Sequence, residues 1–297
     1  VPNLAIRYFN YSDKQKLLDP LFDELESRVF DHYDIVIQNL LPPNLEKIDG
    51  PYNIAICYFE SDGVVTNGLN NWGNQLSQMN EAWMTTSREI KEVETIKLKA
   101  TQIPQCIDLY QIQKNDIRTF NPSTRYRFYA VGNDTSPRKN IYELIVAYFL
   151  AFDKYDNVEL ILKVSNSGPV NKLINELTQS MSHKELAPIL VFSQSFTDEQ
   201  MIGMHNVCDC FVNPASEESI GRPLMEACIK GKNVLVTANT SMCELVTSGP
   251  NQIDSHRDPC LVDKPPVPGI YTIKETWYMP HILSLKEKMV QCYKGII

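Results

Sequence analysis

The hydrophobic positions of this chain fall into short β-rich runs that alternate with longer runs of helical spacing. In the first half, continuous or alternating apolar runs predict strands, and apolar residues three and four apart predict helices. The predicted strands are Leu4–Phe9, Asp34–Gln38, Asn53–Phe59, Ala82–Thr85 and Thr95–Ala100. The predicted helices are Asp19–Phe30, Trp72–Met79 and Ser87–Glu94, the last capped by Ser87.

A second alternation follows a polar stretch that contains Pro122 and has no period. Its predicted strands are Tyr126–Val131, Val158–Val164, Ile189–Phe192, Cys210–Asn213 and Val234–Thr237. Its predicted helices are Arg138–Phe152, Val170–Met181, Asp198–His205 and Pro223–Lys230. After a Pro-rich tail, helical spacing returns over Thr276–Tyr293, with Pro280 near its start.

Strand and helix alternation of this kind predicts an α/β protein with two doubly wound, Rossmann-like domains that face each other across a cleft. We place an N-terminal domain at residues 1–115, a linker at 116–127 and a C-terminal domain at 128–270. Residues 271–297 are predicted to form a terminal helix that braces the two domains. Ligands of such sheets bind at the carboxyl ends of the strands.

Composition and charge narrow the function classes. The 28 basic and 36 acidic residues give a net charge of −8, which argues against a nucleic-acid partner. The longest apolar run, 144–152, is too short to span a membrane, although peripheral contact with a membrane stays open. The eight cysteines form no CxxC pair, which favours a reducing, cytoplasmic setting. The chain opens at Val1 rather than Met, which is consistent with a longer gene product.

The spacing of the glycines excludes two common nucleotide motifs. No two of the 12 glycines lie two residues apart, so there is no GxGxxG dinucleotide fingerprint. Gly63 and Gly68 have the spacing of a phosphate-binding loop, but Leu69 and Asn70 follow in place of Lys and Ser or Thr. No zinc-spaced set of Cys and His occurs, and we expect no metal.

The segment 213–227 (NPASEESIGRPLMEA) carries the chemistry that is most specific in this sequence. It runs from a predicted strand through a loop into a helix, with Pro223 at the expected first helical position. The free N–H groups of Ile220, Gly221 and Arg222 can therefore hold a phosphate. Glu218 can face the hydroxyls of a sugar, and Glu226 can accept hydrogen bonds from a ribose diol.

These segments resemble the GT-B-fold glycosyltransferases of family 4. Their pattern PSxxEGFGLPxxEA corresponds to PASEESIGRPLMEA at 214–227, and their glycine loop and RK helix start correspond to YAVGNDTSPRKN at 129–140. The resemblance covers 127–246 most closely and extends to 53–112. It implies a retaining transferase that uses a UDP- or GDP-sugar as donor and an unidentified glycan or other molecule as acceptor. Such a transferase is expected to require no metal and no cofactor.

The resemblance also assigns roles to single residues. Lys139 lies where the family binds the donor diphosphate and, with Glu218, is the predicted catalytic pair. The family's arginine after the loop glycine is Asn133 here, so Arg138 or Arg222 is expected to substitute for it. Lys163 ends a strand that faces the cleft. Ser193 and Gln194 belong to a loop that is predicted to cradle the base, largely through its backbone.

The first domain contains fewer candidate site residues than the second. The family often has a histidine at the end of a first-domain strand, where this chain has Glu60, the only residue we assign to the acceptor side. This domain is also short by at least one strand and helix. A non-catalytic relative that binds sugar nucleotide or glycan is therefore an alternative, and an epimerase or phosphorylase of the same architecture is a second.

Overall fold

The computed structural model describes residues 4–6, 20–63, 65, 72–114, 119–132, 137–181, 183–260 and 274–297. Within these ranges the chain forms two parallel sheets, one in each half, and a two-stranded antiparallel ribbon. Every predicted strand between residues 126 and 237 is present, with bounds within one residue of the prediction.

The first sheet has the strand order β1-β2-β3-β4 and is parallel throughout. Its strands are β1 (Ile35–Asn39), β2 (Tyr52–Ile56), β3 (Glu81–Met84) and β4 (Ala100–Gln102). The helices of this half are α1 (Pro20–Ser27), α2 (Trp72–Leu76), α3 (Ser87–Glu94) and α4 (Leu109–Ile112). One face of the sheet packs its apolar side chains against α2 and α3, forming a core that includes Ala55, Trp72, Met84 and Val93.

Three predictions for this half were wrong. Residues 4–6 form no strand, and the rest of the predicted strand Leu4–Phe9 lies outside the described residues. Residues 95–97 form a turn after α3, in which Lys97 has a φ of 59°, and β4 begins only at Ala100. The cap of α3 is Thr86 rather than Ser87, because Thr86 Oγ1 accepts from Glu89 N and completes a capping box.

The second sheet has the strand order β10-β9-β8-β5-β6-β7 and is also parallel. Its strands are β5 (Tyr126–Val131), β6 (Val158–Lys163), β7 (Ile189–Phe192), β8 (Cys210–Asn213), β9 (Asn233–Thr237) and β10 (Gln252–Ile253). The helices are α5 (Ile141–Ala151), α6 (Ser167–Ser180), α7 (Asp198–Val207), α8 (Arg222–Ile229) and α9 (Ile282–Tyr293). The strand order reverses between β5 and β8, which makes the carboxyl ends of these two strands the topological switch point.

Both faces of the second sheet are covered. Alternate residues of β5 point to opposite faces, so Phe128 joins a core with α5, α6 and α9, and Tyr129 joins a second core with α7 and α8. Phe128 and Tyr129 have no solvent exposure. A parallel sheet normally requires this covering on both sides.

The C-terminal segment differs from its prediction. Residues Thr276–Pro280 form strand β12, which pairs antiparallel with β11 (Ser255–Pro259), so the predicted helix over Thr276–Tyr293 was wrong for its first five residues. The β-branched and aromatic residues Thr276, Trp277 and Tyr278 favour a strand, and α9 starts only after Pro280. Helix α9 packs on α5, whereas β12 reaches the first half, where the backbone of Thr276 and that of Asp62 exchange two hydrogen bonds.

Candidate active site

Two loops meet at the switch point of the second sheet. The first follows β5 and ends in a 3-10 turn at Pro137–Lys139, and the second runs from β8 to α8. Asn140 joins them, because its Nδ2 donates to Pro214 O (2.9 Å) and to Ser216 Oγ (2.8 Å). Asn140 has a left-handed backbone (φ 51°), a conformation that asparagine tolerates better than most residues. The two loops are thereby held as one unit.

The 3-10 turn places two cations beside one carboxylate. Lys139 Nζ forms an ion pair with Glu218 Oε1, and Arg138 Nη1 lies 3.3 Å from Glu218 Oε2. Arg138 Nη1 also donates to the backbone oxygen of Glu217 (2.6 Å). The side chains of Arg138 and Glu218 are both more than 90% buried. The structure therefore brings together the predicted catalytic residues and one of the predicted diphosphate ligands.

Helix α8 begins at the second loop. Its N-cap is Gly221, whose φ of 84° is a conformation that favours glycine. Arg222 is the first helical residue, so Pro223 is second rather than first as predicted. Among the described residues, none accepts a hydrogen bond from the N–H groups of Ile220, Gly221 or Arg222. These donors are available to a ligand in the loop.

Glu226 lies one turn into α8 and is 5% exposed. Its Oε2 lies 3.1 Å from His205 Nε2, and its Oε1 accepts from Arg222 Nε at 2.8 Å. Burial alone raises the pKa of Glu226, but the hydrogen bonds from His205 and Arg222 outweigh it and lower that pKa. Glu226 is therefore held as a carboxylate, and Arg222 lies over it rather than beside Glu218.

The remaining donor-side residues line the neighbouring strand ends. Lys163 ends β6, donates to Val164 O (3.1 Å) and lies 5.1 Å from the centre of the Phe196 ring; its burial lowers its pKa. Ser193 donates to Ser167 Oγ at 3.2 Å, and Gln194 is exposed. Asn133 lies outside the described residues, so its role stays a prediction.

The first half contributes Glu60 to this cleft. Glu60 Oε1 lies 2.7 Å from Arg138 Nη2, and the Glu60 side chain is 44% exposed. Burial raises the pKa of Glu60 above its usual range. Arg138 opposes this rise, and the nearby Glu218 adds to it. Arg138 thus pairs with a carboxylate from each half of the chain.

A second cross-cleft cluster was not found from the sequence. Arg88, on α3, pairs with Asp62 through two nitrogens, donates to the backbone oxygen of Asn239, and lies 3.3 Å from Glu217 Oε2. Its guanidinium also stacks 4.9 Å from the centre of the Tyr278 ring. These carboxylates and the ring raise the pKa of Arg88 despite its burial.

Glu217 is the most perturbed carboxylate of the cluster. It is 2% exposed, and burial raises its pKa to about 7 although Arg88 and two backbone N–H groups lower it. Those N–H groups belong to Ser241 (2.8 Å) and Glu218 (3.2 Å). Sequence reasoning missed Glu217 because its neighbour Glu218 fits the motif and nothing local signals the approach of Arg88.

Two further contacts join α3 and the residues just before it to the second half of the chain. Glu244 accepts from the N–H groups of Ser87 (3.1 Å) and Arg88 (3.3 Å) and so caps α3 from the other half of the chain. The hydroxyls of Thr85 and Ser219 share a hydrogen bond. In the part of the chain that the structure describes, no cluster of three or more His, Cys, Asp or Glu could hold a metal ion.

Comparison with known proteins identifies the family that the second half resembles. Residues 113–256 match the family model of the glycosyl transferases group 1. The serotype-specific mannosyltransferase WbdA of Escherichia coli is 31% identical over 113 residues, which is 37% of this chain and 13% of WbdA. The predicted resemblance to GT-B glycosyltransferases is confirmed.

Solved structures extend the likeness to most of the chain. HepE from Anabaena, in complex with UDP and glucose, has a TM-score of 0.57 at 14% identity, covering 83% of this chain and 63% of HepE. The pneumococcal O-GlcNAc transferase GtfA, in complex with UDP and GlcNAc, has a TM-score of 0.53 at 13% identity, covering 83% of this chain and 46% of GtfA. These likenesses confirm the predicted GT-B fold. The chain spans less than two thirds of each of these proteins.

No helix among the described residues combines the length and the apolar character that crossing a membrane requires.

Proposed function

We propose that this chain, whose residues 113–256 match the glycosyl transferases group 1, is a retaining glycosyltransferase that moves a sugar from a nucleotide-diphosphate sugar to a glycan or other acceptor. The observation that carries the proposal is the group of Arg138, Lys139 and Glu218 at the switch point of the second sheet. Two cations and the free N–H groups of residues 220–222 at the start of α8 suit a diphosphate, and the carboxylate of Glu218 suits the hydroxyls of a sugar.

The donor diphosphate takes the place of Glu218 as the partner of Lys139. Lys139 and Arg138 then neutralise the diphosphate, together with the N–H groups of Ile220, Gly221 and Arg222. Glu218, released from Lys139, accepts hydrogen bonds from hydroxyls of the donor sugar. The site thus exchanges one internal anion for the anion of the substrate, which keeps its buried cations paired.

The chemical step separates charge, and the site is arranged to stabilise it. The bond between the anomeric carbon and the β-phosphate oxygen breaks, and negative charge grows on that phosphate. Lys139 and the α8 N–H groups stabilise this charge, while Glu218 stabilises the positive charge on the sugar. The acceptor hydroxyl oxygen bonds to the anomeric carbon from the same face, and its proton passes to the released phosphate. In this mechanism protein groups do the work that a metal ion could do.

The nucleoside end of the donor lies toward Glu226. Its carboxylate accepts from the ribose hydroxyls, and the loop of Ser193 and Gln194 holds the base of a UDP- or GDP-sugar. Lys163 lies at the next strand end, within the same edge of the sheet. On the acceptor side we propose Glu60, which reaches Arg138 from the first half. The free cysteines favour a cytoplasmic location for this reaction.

Calorimetry tests the donor site first. The purified chain is titrated with UDP, GDP and ADP and with their common sugar conjugates. We expect one nucleotide to bind, and Lys139→Ala to weaken it at least tenfold, because one charge-assisted contact is worth about 1.5–3 kcal/mol. Lys172→Ala, on the exposed surface of α6, is the matched control and should leave the affinity unchanged. Binding of no nucleotide by the folded chain would overturn the proposal.

Turnover then tests catalysis. Donor consumption is measured with and without candidate acceptors for the wild type, Glu218→Gln and the exposed control Glu176→Gln. We expect Glu218→Gln to retain nucleotide binding and to lose at least a hundredfold in kcat, since it removes charge stabilisation in the transition state. Nucleotide binding without any turnover by the wild type would instead support the non-catalytic relative.

A further inference from the structure

A buried chain of polar groups leads from the middle of the second sheet to Glu226. His205, on α7, has no solvent exposure. Its Nδ1 lies 2.7 Å from the Tyr129 hydroxyl of β5, and its Nε2 lies 3.1 Å from Glu226 Oε2 of α8. Three elements of the domain are thus linked through one imidazole.

The chemistry of the two partners fixes the roles of the imidazole nitrogens. A carboxylate only accepts hydrogen bonds, so Nε2 carries the proton that faces Glu226. Burial keeps the pKa of Tyr129 well above its usual range, so its hydroxyl keeps its proton and donates to Nδ1. The sequence of donors therefore runs from Tyr129 to His205 to Glu226, with every polar atom of the imidazole satisfied.

Glu226 keeps free acceptor capacity in this arrangement. Each carboxylate oxygen has about two acceptor positions. His205 occupies one position on Oε2, and Arg222 occupies one on Oε1. One acceptor position remains on each oxygen, which is the number that the two adjacent hydroxyls on the 2′ and 3′ carbons of a ribose would use.

His205 also differs from Arg222 as a support. The Arg222 side chain is 58% exposed and lies 3.7 Å from Asp198 as well, so solvent screens it and it has a second partner. His205 packs against the rings of both Tyr129 and Phe211, at centroid distances of 5.4 and 6.5 Å. The imidazole therefore provides the rigid contact that sets the plane of the Glu226 carboxylate.

We propose that His205 is a positioning residue that holds Glu226 in the orientation that recognises the ribose diol of the donor nucleotide. The inference rests on the proposed function, because it requires that a nucleotide binds here. It goes further than the proposed function in one respect. It assigns the preference for ribose over 2′,3′-dideoxyribose to a buried residue that the ligand does not touch.

The test measures discrimination between two ligands rather than affinity alone. Dissociation constants are determined by calorimetry for UDP and GDP and for their 2′,3′-dideoxy counterparts. The variants are His205→Phe, His205→Gln and Tyr129→Phe, with His183→Gln as the exposed control. His205→Phe keeps a ring against Tyr129 and Phe211 but removes both nitrogens, and thermal unfolding checks that each variant is folded.

We expect the wild type to prefer the ribonucleotide at least tenfold, in line with two hydrogen bonds to a charged group. In His205→Phe this preference should fall to threefold or less, while the affinity for the dideoxy ligand stays within twofold of the wild type. His205→Gln, which can both accept from Tyr129 and donate to Glu226, should restore part of the preference. Tyr129→Phe should lower it about threefold and provides the test if His205→Phe does not fold.

The outcomes separate the inference from its premise. A preference that persists in His205→Phe and Tyr129→Phe overturns the role of His205, and so does an equal loss of affinity for both ligands, which would indicate a structural role only. A wild type that binds neither UDP nor GDP overturns the inference together with its premise for these donors.

Discussion

The two halves of this chain use the same parallel βα pattern but bury their sheets to different extents. In the second half both faces of the sheet are packed, and Phe128 and Tyr129, which point to opposite faces, are fully buried. In the first half one face is packed, whereas Ile35 and Ile37 of the edge strand β1 are 55% and 48% exposed. Packing on both faces therefore supports the site residues of the second half, and side chains of the first half, Glu60 and Arg88, reach Arg138 and Glu217.

Truncation of a core residue is the largest test of this difference. Phe128→Ala should lower the free energy of unfolding by about 3–5 kcal/mol, because it leaves a cavity in a fully packed layer. Ile37→Thr keeps a β-branched residue on β1 and should change that free energy by about 0.5 kcal/mol or less. Urea unfolding followed by fluorescence measures both. A cost above about 2 kcal/mol for Ile37→Thr would mean that the exposed face is covered in solution.

Removal of Arg88 tests how strongly the halves are coupled. Arg88→Met leaves Glu217 without a cation, and breaking a buried pair on one side costs about 3–5 kcal/mol. Since the Arg88 side chain is 22% exposed, we expect the lower end, about 3 kcal/mol, at pH 8. Lys99→Met is the matched control, because the lysine of its pair with Glu81 is 64% exposed and solvent screens it, so the loss of stability should be clearly smaller.

A double-mutant cycle shows which partner of Arg88 accounts for the loss of stability. If the loss comes from leaving the Glu217 carboxylate unpaired, Arg88→Met should lower the free energy of unfolding clearly less in a Glu217→Gln background, since the amide carries no charge. Equal costs in the two backgrounds would assign the effect to Asp62 or to the Tyr278 contact instead.

The pH dependence of stability isolates Glu217. Its pKa is 4.5 in the free residue and about 7 in the folded protein, so the folded state binds more protons between these values. The contribution of Glu217 to stability is therefore fully present below pH 4.5 and is lost as the pH rises through about 7. The total change is about 3 kcal/mol, from 1.36 kcal/mol per pKa unit.

Comparison of the wild type with Glu217→Gln separates the contribution of Glu217 to the pH dependence of stability from that of other carboxylates. Burial also raises the pKa values of Glu60, Glu92 and Glu143, and these add slopes of the same sign. Glu217→Gln should flatten the fall in stability between pH 5 and pH 8, whereas Glu176→Gln, on the surface of α6, should leave it unchanged. Parallel curves for the wild type and Glu217→Gln would contradict the raised pKa.

The same contrast between the halves separates what the sequence predicted from what it could not. Strands β5 to β9 were predicted to within a residue because buried strands of a doubly wound sheet are continuous apolar runs. The resemblance of their motifs to the family predicted Lys139 and Glu218 as a pair, and both lie in segments that follow strands at the switch point. Strand β12 was predicted as helix, because its pairing with β11 is non-local and the helical spacing of α9 continued across it.

The sequence did not predict which residues become partners inside the second domain or across the cleft. Arg88 and Glu217 are 129 positions apart and become neighbours only when the two halves face each other. His205 ends a predicted helix and belongs to no motif, and its two partners, Tyr129 and Glu226, come from two other elements. No local pattern encodes such contacts, so a single sequence predicts the scaffold and the motif residues but not the groups that hold them.

The smallest expected effect concerns Glu60, a carboxylate of the first half that reaches Arg138. Glu60 competes with a diphosphate for Arg138, so Glu60→Gln should tighten the binding of the donor nucleotide. Because the Glu60 side chain is 44% exposed, the pair is worth about 1 kcal/mol or less, and the gain should stay below about fivefold. Asp49→Asn, an exposed carboxylate elsewhere in the first half, is the control in the same calorimetric titration. Weaker binding in Glu60→Gln would mean instead that Glu60 orients Arg138 toward the diphosphate, and that the first half helps to build the donor site rather than restraining it.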